Sequence, residues 1–133
     1  MSDASGHIDD PTIPPSCALL RRIYPKWVVS DDNAGGQRIS SAGFKDPEMS
    51  VHIGDDLAEM GLSREAVVER YPDHDLAAVH AATARELGQM VYREHKPDQL
   101  CHGIVAGKKS LGTAKRMAAE ATVNWIVRRS RPG

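Results

Sequence analysis

The chain has 133 residues, 41% of them hydrophobic and 26% charged, with a formal net charge of −1. That length and balance leave room for one domain with one core and exclude a wholly disordered chain. No apolar run approaches the roughly 20 residues of a membrane helix, and the start lacks a basic-then-apolar signal, so a cytoplasmic protein with no membrane partner is expected.

Residues 1–16, MSDASGHIDDPTIPPS, hold three prolines and three aspartates. They read as a flexible leader that adds nothing to the core, with a single domain over 17–133. ALLRRIYPKWVVS is rich in β-branched and aromatic residues, and Pro25 confines it to an edge or to a break between two short strands. DDNAGG is a turn, QRISSAGF the next strand, and MSVHI a further short one after the KDPE turn. GDDLAEMGLSREAVVERYPDH suits one or two short helices, the second beginning at Ser63 and ending before Pro72.

Residues 76–94 are ambiguous. Leu76, Val79, Thr83, Leu87 and Met90 form a helical stripe, yet AAVHA and QMVYR also read as strands, and periodicity does not choose. LCHGIVA is a short buried strand. In the last element Leu111, Ala114, Ala118, Ala121 and Trp125 recur at three- and four-residue steps, which predicts a helix lying on a sheet with Trp125 as its anchor. The expected fold is α+β: a small, largely antiparallel sheet packed by a C-terminal helix, with one or two short helices mid-chain.

RRIYP, RISSAGF, MSVHI and PDQLCHGIVAGKKS together resemble a widespread group of short, uncharacterised bacterial proteins with no established activity. That group combines an early Arg-rich strand, a Ser-Ser-x-x-Phe segment, Ser-Val and a late histidine strand. The resemblance covers roughly residues 19–121 and favours two strands in 76–94, with TAREL as a helical turn between them.

Charge is segregated. Residues 46–75 hold nine acids against two arginines, net −7, whereas 98–133 hold seven lysines and arginines against two acids, net +5. The two stretches read first as two solvated faces; the alternatives are that they pair with each other, across the fold or between copies, or that each serves a different partner. RRSRPG resembles a nucleic-acid tail, but it equally complements a helix C-terminus, which leaves nucleic acid only weakly indicated as a partner.

Three places hold residues suited to chemistry. GKKS at 107–110 departs from a P-loop: Gly103 and Gly107 are one position too close, and Lys109 stands where Ser or Thr is needed. Lys108, Lys109 and Ser110 remain an anion-binding candidate because they open a helix. Arg38, Ser40 and Ser41 bring a cation and two hydroxyls to one strand, with Arg38 and Ser40 on the same face. His80 and His102 lie in strands, where either is a candidate general base. Cys17 and Cys101 read as thiols; neither has zinc-site spacing, and neither a metal nor a cofactor is expected.

These features point first to a non-catalytic binding or accessory protein that acts through a protein partner, or as a homo-oligomer, in a bacterial multiprotein system. The alternative is a small enzyme acting on a phosphate-bearing substrate, a nucleotide or nucleic acid, with His102 as acid or base and Arg38, Lys108 and Lys109 holding the anion. ADP-ribosyltransferases also pair an early arginine strand with a serine-rich strand, but their catalytic glutamate motif has no counterpart here.

Overall fold

The computed structural model describes residues 8–129. Among these residues eight strands and three α-helices, besides short 3-10 helices, follow in chain order: β1 Ala18–Ile23, β2 Val28–Asp31, β3 Gly36–Ile39, β4 Glu48–Ile53, α1 Gly54–Glu59, β5 Asp75–His80, α2 Ala81–Glu86, β6 Met90–Arg93, β7 His102–Ala106, α3 Leu111–Val123 and β8 Trp125–Val127. Six strands form one antiparallel sheet in the order β6-β7-β4-β1-β5-β8, while β2 and β3 pair as a separate hairpin. The fold is α+β, mostly sheet, with a C-terminal helix. Among the described residues no helix is long and apolar enough to cross a membrane.

Strand alternation gives the sheet two faces. Leu19, Ile23, Val51, Ile53, Ala77 and Val79 point to the larger core, which α2, α3, the hairpin and Phe44 cover. Ala18, Leu20, Leu76 and Ala78 point the other way, onto Leu57 of α1 and onto Val67 and Val68 of the 3-10 helix Arg64–Val68. The segment 76–94 takes the two-strand form, because Leu76 and Val79 belong to opposite sides of a sheet rather than to one side of a helix.

Several expectations need correction. The leader does enter the core: Ile13 is fully buried, and Asp10 N–H donates to Val91 O at 2.8 Å. Asp9 accepts from Val91 N at 2.8 Å and from Arg85 at 3.1 Å. One isoleucine among polar residues gives no periodic signal, so composition hid it; residues 1–7 of the leader lie outside the described residues. The third strand stops at Ile39. Ser40 instead caps the 3-10 helix Ser41–Phe44, its Oγ accepting from Ala42 N at 3.1 Å, so strand alternation does not relate Ser40 to Arg38. Ser63 stands at the head of Arg64–Val68 but makes no side-chain cap.

α3 buries Ala114, Met117, Ala118 and Ala121, leaving Leu111 54% exposed. Trp125 lies beyond the helix, in β8, where its Nε1–H donates to the buried Asp75 at 3.0 Å. Arg128 and Arg129 therefore follow a strand rather than ending a helix; Arg131 lies outside the described residues. Arg129 reaches back to the acidic stretch, donating to Val68 O at 3.1 Å and Tyr71 O at 3.0 Å. Cys17 and Cys101 are free thiols.

Candidate functional site

The smaller-core face carries chemistry-bearing side chains on adjoining strands. Alternation along β1 places Arg22 with Leu20, and alternation along β4 places Ser50 with His52. Leu20 stands opposite His52, His52 opposite His102, and Ser50 opposite Ile104, so the pairing gathers Arg22, Ser50, His52 and His102 on one side of the sheet. A cleft of about 480 Å³ opens beside them, between Leu62–Tyr71 and Pro97–Leu100, with Arg22 and His52 in its wall.

Arg22 is half-buried, with its guanidinium 3.9 Å from the centre of the Tyr71 ring. Among the described residues it has neither a hydrogen bond nor an ion pair. A guanidinium has five donors in a planar fork, so Arg22 presents unfilled valence toward the cleft. Its charge is felt by its neighbours. Burial first, and the Arg22 charge among the lesser causes, holds His52 down at about 4 and also lowers His74 and His102. All three imidazoles are thus neutral near pH 7. Gln99 Oε1, in the wall of the same cleft, and His74 Nδ1, whose ring stacks on Tyr71, are buried without a hydrogen-bond partner among the described residues.

The tautomers follow from carbonyl oxygens, which only accept. His52 Nδ1–H donates to Leu100 O at 2.6 Å and ties the 97–101 loop to β4. His102 Nδ1–H donates to Glu94 O at 3.1 Å, with the Glu94 carboxylate 3.5 Å away. His102 Nε2 is therefore left with a lone pair, which accepts the Ser50 hydroxyl. Next to the cleft, Cys101 has φ 46° and its carbonyl accepts from Ile53 N at 2.8 Å; this left-handed residue turns the loop into β7.

The residues singled out from sequence are not brought together. His102 is on this face. Arg38 pairs with Asp31 at 3.0 Å and lines a different groove of about 680 Å³, between the β2–β3 hairpin and α3, with Ser40, Ser41, Lys115 and Arg128. His80 ends β5, its backbone N–H held by Glu120 at 2.6 Å and its ring 3.6 Å from the same carboxylate.

Lys108 is exposed, whereas the Lys109 ammonium folds back onto Val105 O at 2.8 Å and Gly107 O at 3.2 Å. Burial brings the Lys109 pKa down to about 8. Ser110 caps α3 itself, its Oγ accepting from Thr113 N at 3.1 Å, and so fills a donor that an anion would use.

The chain matches no family model, no curated protein and no solved structure.

The site accordingly rests on its own geometry. Arg22, Ser50 and His52 escaped sequence reasoning because RRI and MSVHI read only as strands. Alternation could have set Ser50 with His52, but strand pairing was needed to lay them beside Arg22 and His102. Among the described residues no group of three His, Cys, Asp or Glu side chains is placed to hold a metal ion.

Proposed function

We propose that the protein acts on, or senses, a small phosphate-bearing molecule bound in the cleft beside Arg22. The observation that carries this reading is the half-buried Arg22 guanidinium, which is stacked on Tyr71 and has no acceptor among the described residues. Its planar fork matches a phosphate or carboxylate in two-pronged fashion, and partial burial strengthens the pairing relative to water. This reading keeps His102 from the enzymatic alternative but transfers the anion from Arg38, Lys108 and Lys109 to Arg22.

Thermal unfolding in orthophosphate, pyrophosphate and adenosine monophosphate tests it. At ten times Kd a ligand adds about 1.4 kcal/mol, enough to raise the midpoint by a few degrees. Arg22→Met should remove the rise, Lys108→Ala with Lys109→Ala should keep it, and added salt should weaken it. No rise in the wild type, or loss in the lysine variant alone, refutes the reading.

A second reading, self-association through the α3 groove, is favoured by Val123, which is 84% exposed there beside Ile39 and Ala118. Sedimentation of the wild type against Val123→Asp checks it, and a monomer at all concentrations for the wild type rules it out.

A further inference from the structure

We propose that Ser50 is a nucleophile and His102 its general base, so that the phosphate-bearing molecule is a phosphate ester which the protein hydrolyses through a phosphoserine intermediate. This rests on the reading of the Arg22 cleft as the phosphate site. The nucleophile, the base and the group that orients the base occupy three neighbouring strands: Ser50 on β4, His102 on β7, and Glu94 just past β6. The Ser50 hydroxyl donates to His102 Nε2, and the Glu94 carbonyl fixes the opposite ring nitrogen as the one that carries hydrogen. This relay of hydroxyl, imidazole and acceptor is the arrangement that activates serine in unrelated folds.

Exposure divides the roles. The His102 side chain is fully buried and Ser50 half-buried; neither is among the residues that wall the Arg22 cleft, so the substrate must extend from that cleft past Arg22 to bring its phosphorus to Ser50 Oγ and its departing oxygen to His102 Nε2. Arg22, on the same face and one strand away from Ser50, supplies the positive charge for the phosphoryl oxygens.

In the first step Ser50 Oγ bonds to phosphorus as the bond to the ester oxygen breaks. The hydroxyl proton passes to His102 Nε2 and from there to the departing oxygen. In the second step water attacks the phosphoserine, giving its proton to His102 Nε2. The P–Oγ bond breaks, Ser50 Oγ takes up that proton, and orthophosphate leaves. Glu94 is a positioning residue in both steps.

Diisopropyl fluorophosphate, a neutral probe that needs no anion site, separates this proposal from the one on which it rests. Incubation should give one covalent adduct on the intact protein, with Oγ–P formed and fluoride released, and peptide mass spectrometry should place it on Ser50 in the wild type without recourse to a variant. His102→Gln should slow labelling about 100-fold. Arg22→Met should still label, even though it loses the phosphate-induced rise in midpoint. The labelling rate should be flat above pH 7 and fall as His102 protonates. An adduct elsewhere, no adduct on folded protein, or a rate unchanged in His102→Gln overturns the proposal and makes Ser50 only the hydrogen-bond partner of a buried imidazole. The phosphate-binding reading would survive any of these results if the Arg22-dependent rise remains.

Discussion

Replacing His52 with Leu should alter the pH dependence of stability more than stability itself at neutral pH. His52 is 5% exposed, and burial holds its pKa at about 4 against 6.5 for a free imidazole. A base whose pKa is lower in the folded state favours unfolding wherever the unfolded chain takes up the proton and the folded one does not. His52 therefore costs nothing above pH 6.5, and the cost grows as pH falls from 6.5 to about 4 and then levels off. At roughly 1.4 kcal/mol per pH unit the full effect is about 3 kcal/mol.

Leucine keeps the bulk but neither titrates nor donates to Leu100 O, so the variant should be the less stable at pH 7.5, by about 1 kcal/mol for the lost hydrogen bond. Its deficit should shrink and then reverse by pH 4. Urea denaturation followed by tryptophan fluorescence at half-unit intervals gives both curves, and subtracting them removes the carboxylates and the other lowered imidazoles, His74 and His102. A constant offset between wild type and variant from pH 7.5 to 4 would show that His52 is as well solvated in the folded chain as in the unfolded one, and would refute the argument.

Ile13→Ala should cost about 2 to 5 kcal/mol in urea denaturation, since Ile13 is fully buried in the larger core; an unchanged midpoint would restore the leader as a bystander. Gly54→Ala should destabilise by about 1 to 3 kcal/mol, because the added Cβ would stand 2.7 Å from the Ala18 carbonyl and backbone yields poorly; a wild-type melting temperature would show that α1 can move away. Trp125→Phe should lose about 1 to 2 kcal/mol through the deleted indole–carboxylate hydrogen bond to Asp75, and equal stability by chemical denaturation would mean that water or another donor replaces the indole.

The elements were legible where local signals agree. Pro25 separates β1 from β2 as its missing N–H requires, and the alanine spacing of α3 marks the buried side correctly. Failures came where distant contacts decide. Trp125 fits a helical spacing yet belongs to β5's neighbour, because the chain leaves the helix at Asn124 and Asp75 offers the indole an acceptor fifty residues away. Ser40 and Ser41 read as strand because serine is neutral in a strand pattern, although a free hydroxyl also caps a turn. The candidate site was the least legible part. His102 was visible as a strand histidine, but its partner Ser50 is 52 residues distant, and Arg22 gains significance only because no described residue offers its guanidinium an acceptor, which no sequence pattern records.

The leader's grip on Val91 also governs how copies of this chain meet. β6 is the outermost strand at one end of the sheet, and an outermost strand with idle peptide groups is a template onto which another molecule can add. Both polar groups of the Val91 peptide are occupied, the carbonyl by Asp10 N and the amide by the Asp9 carboxylate. The segment that does this does not offer a fresh template in its place, because Pro11, Pro14 and Pro15 supply no N–H for a ladder. Asp9 and Asp10 thus work as a guard against aggregation, and chains trimmed past Asp10 should gather into sheet-rich assemblies while still folded.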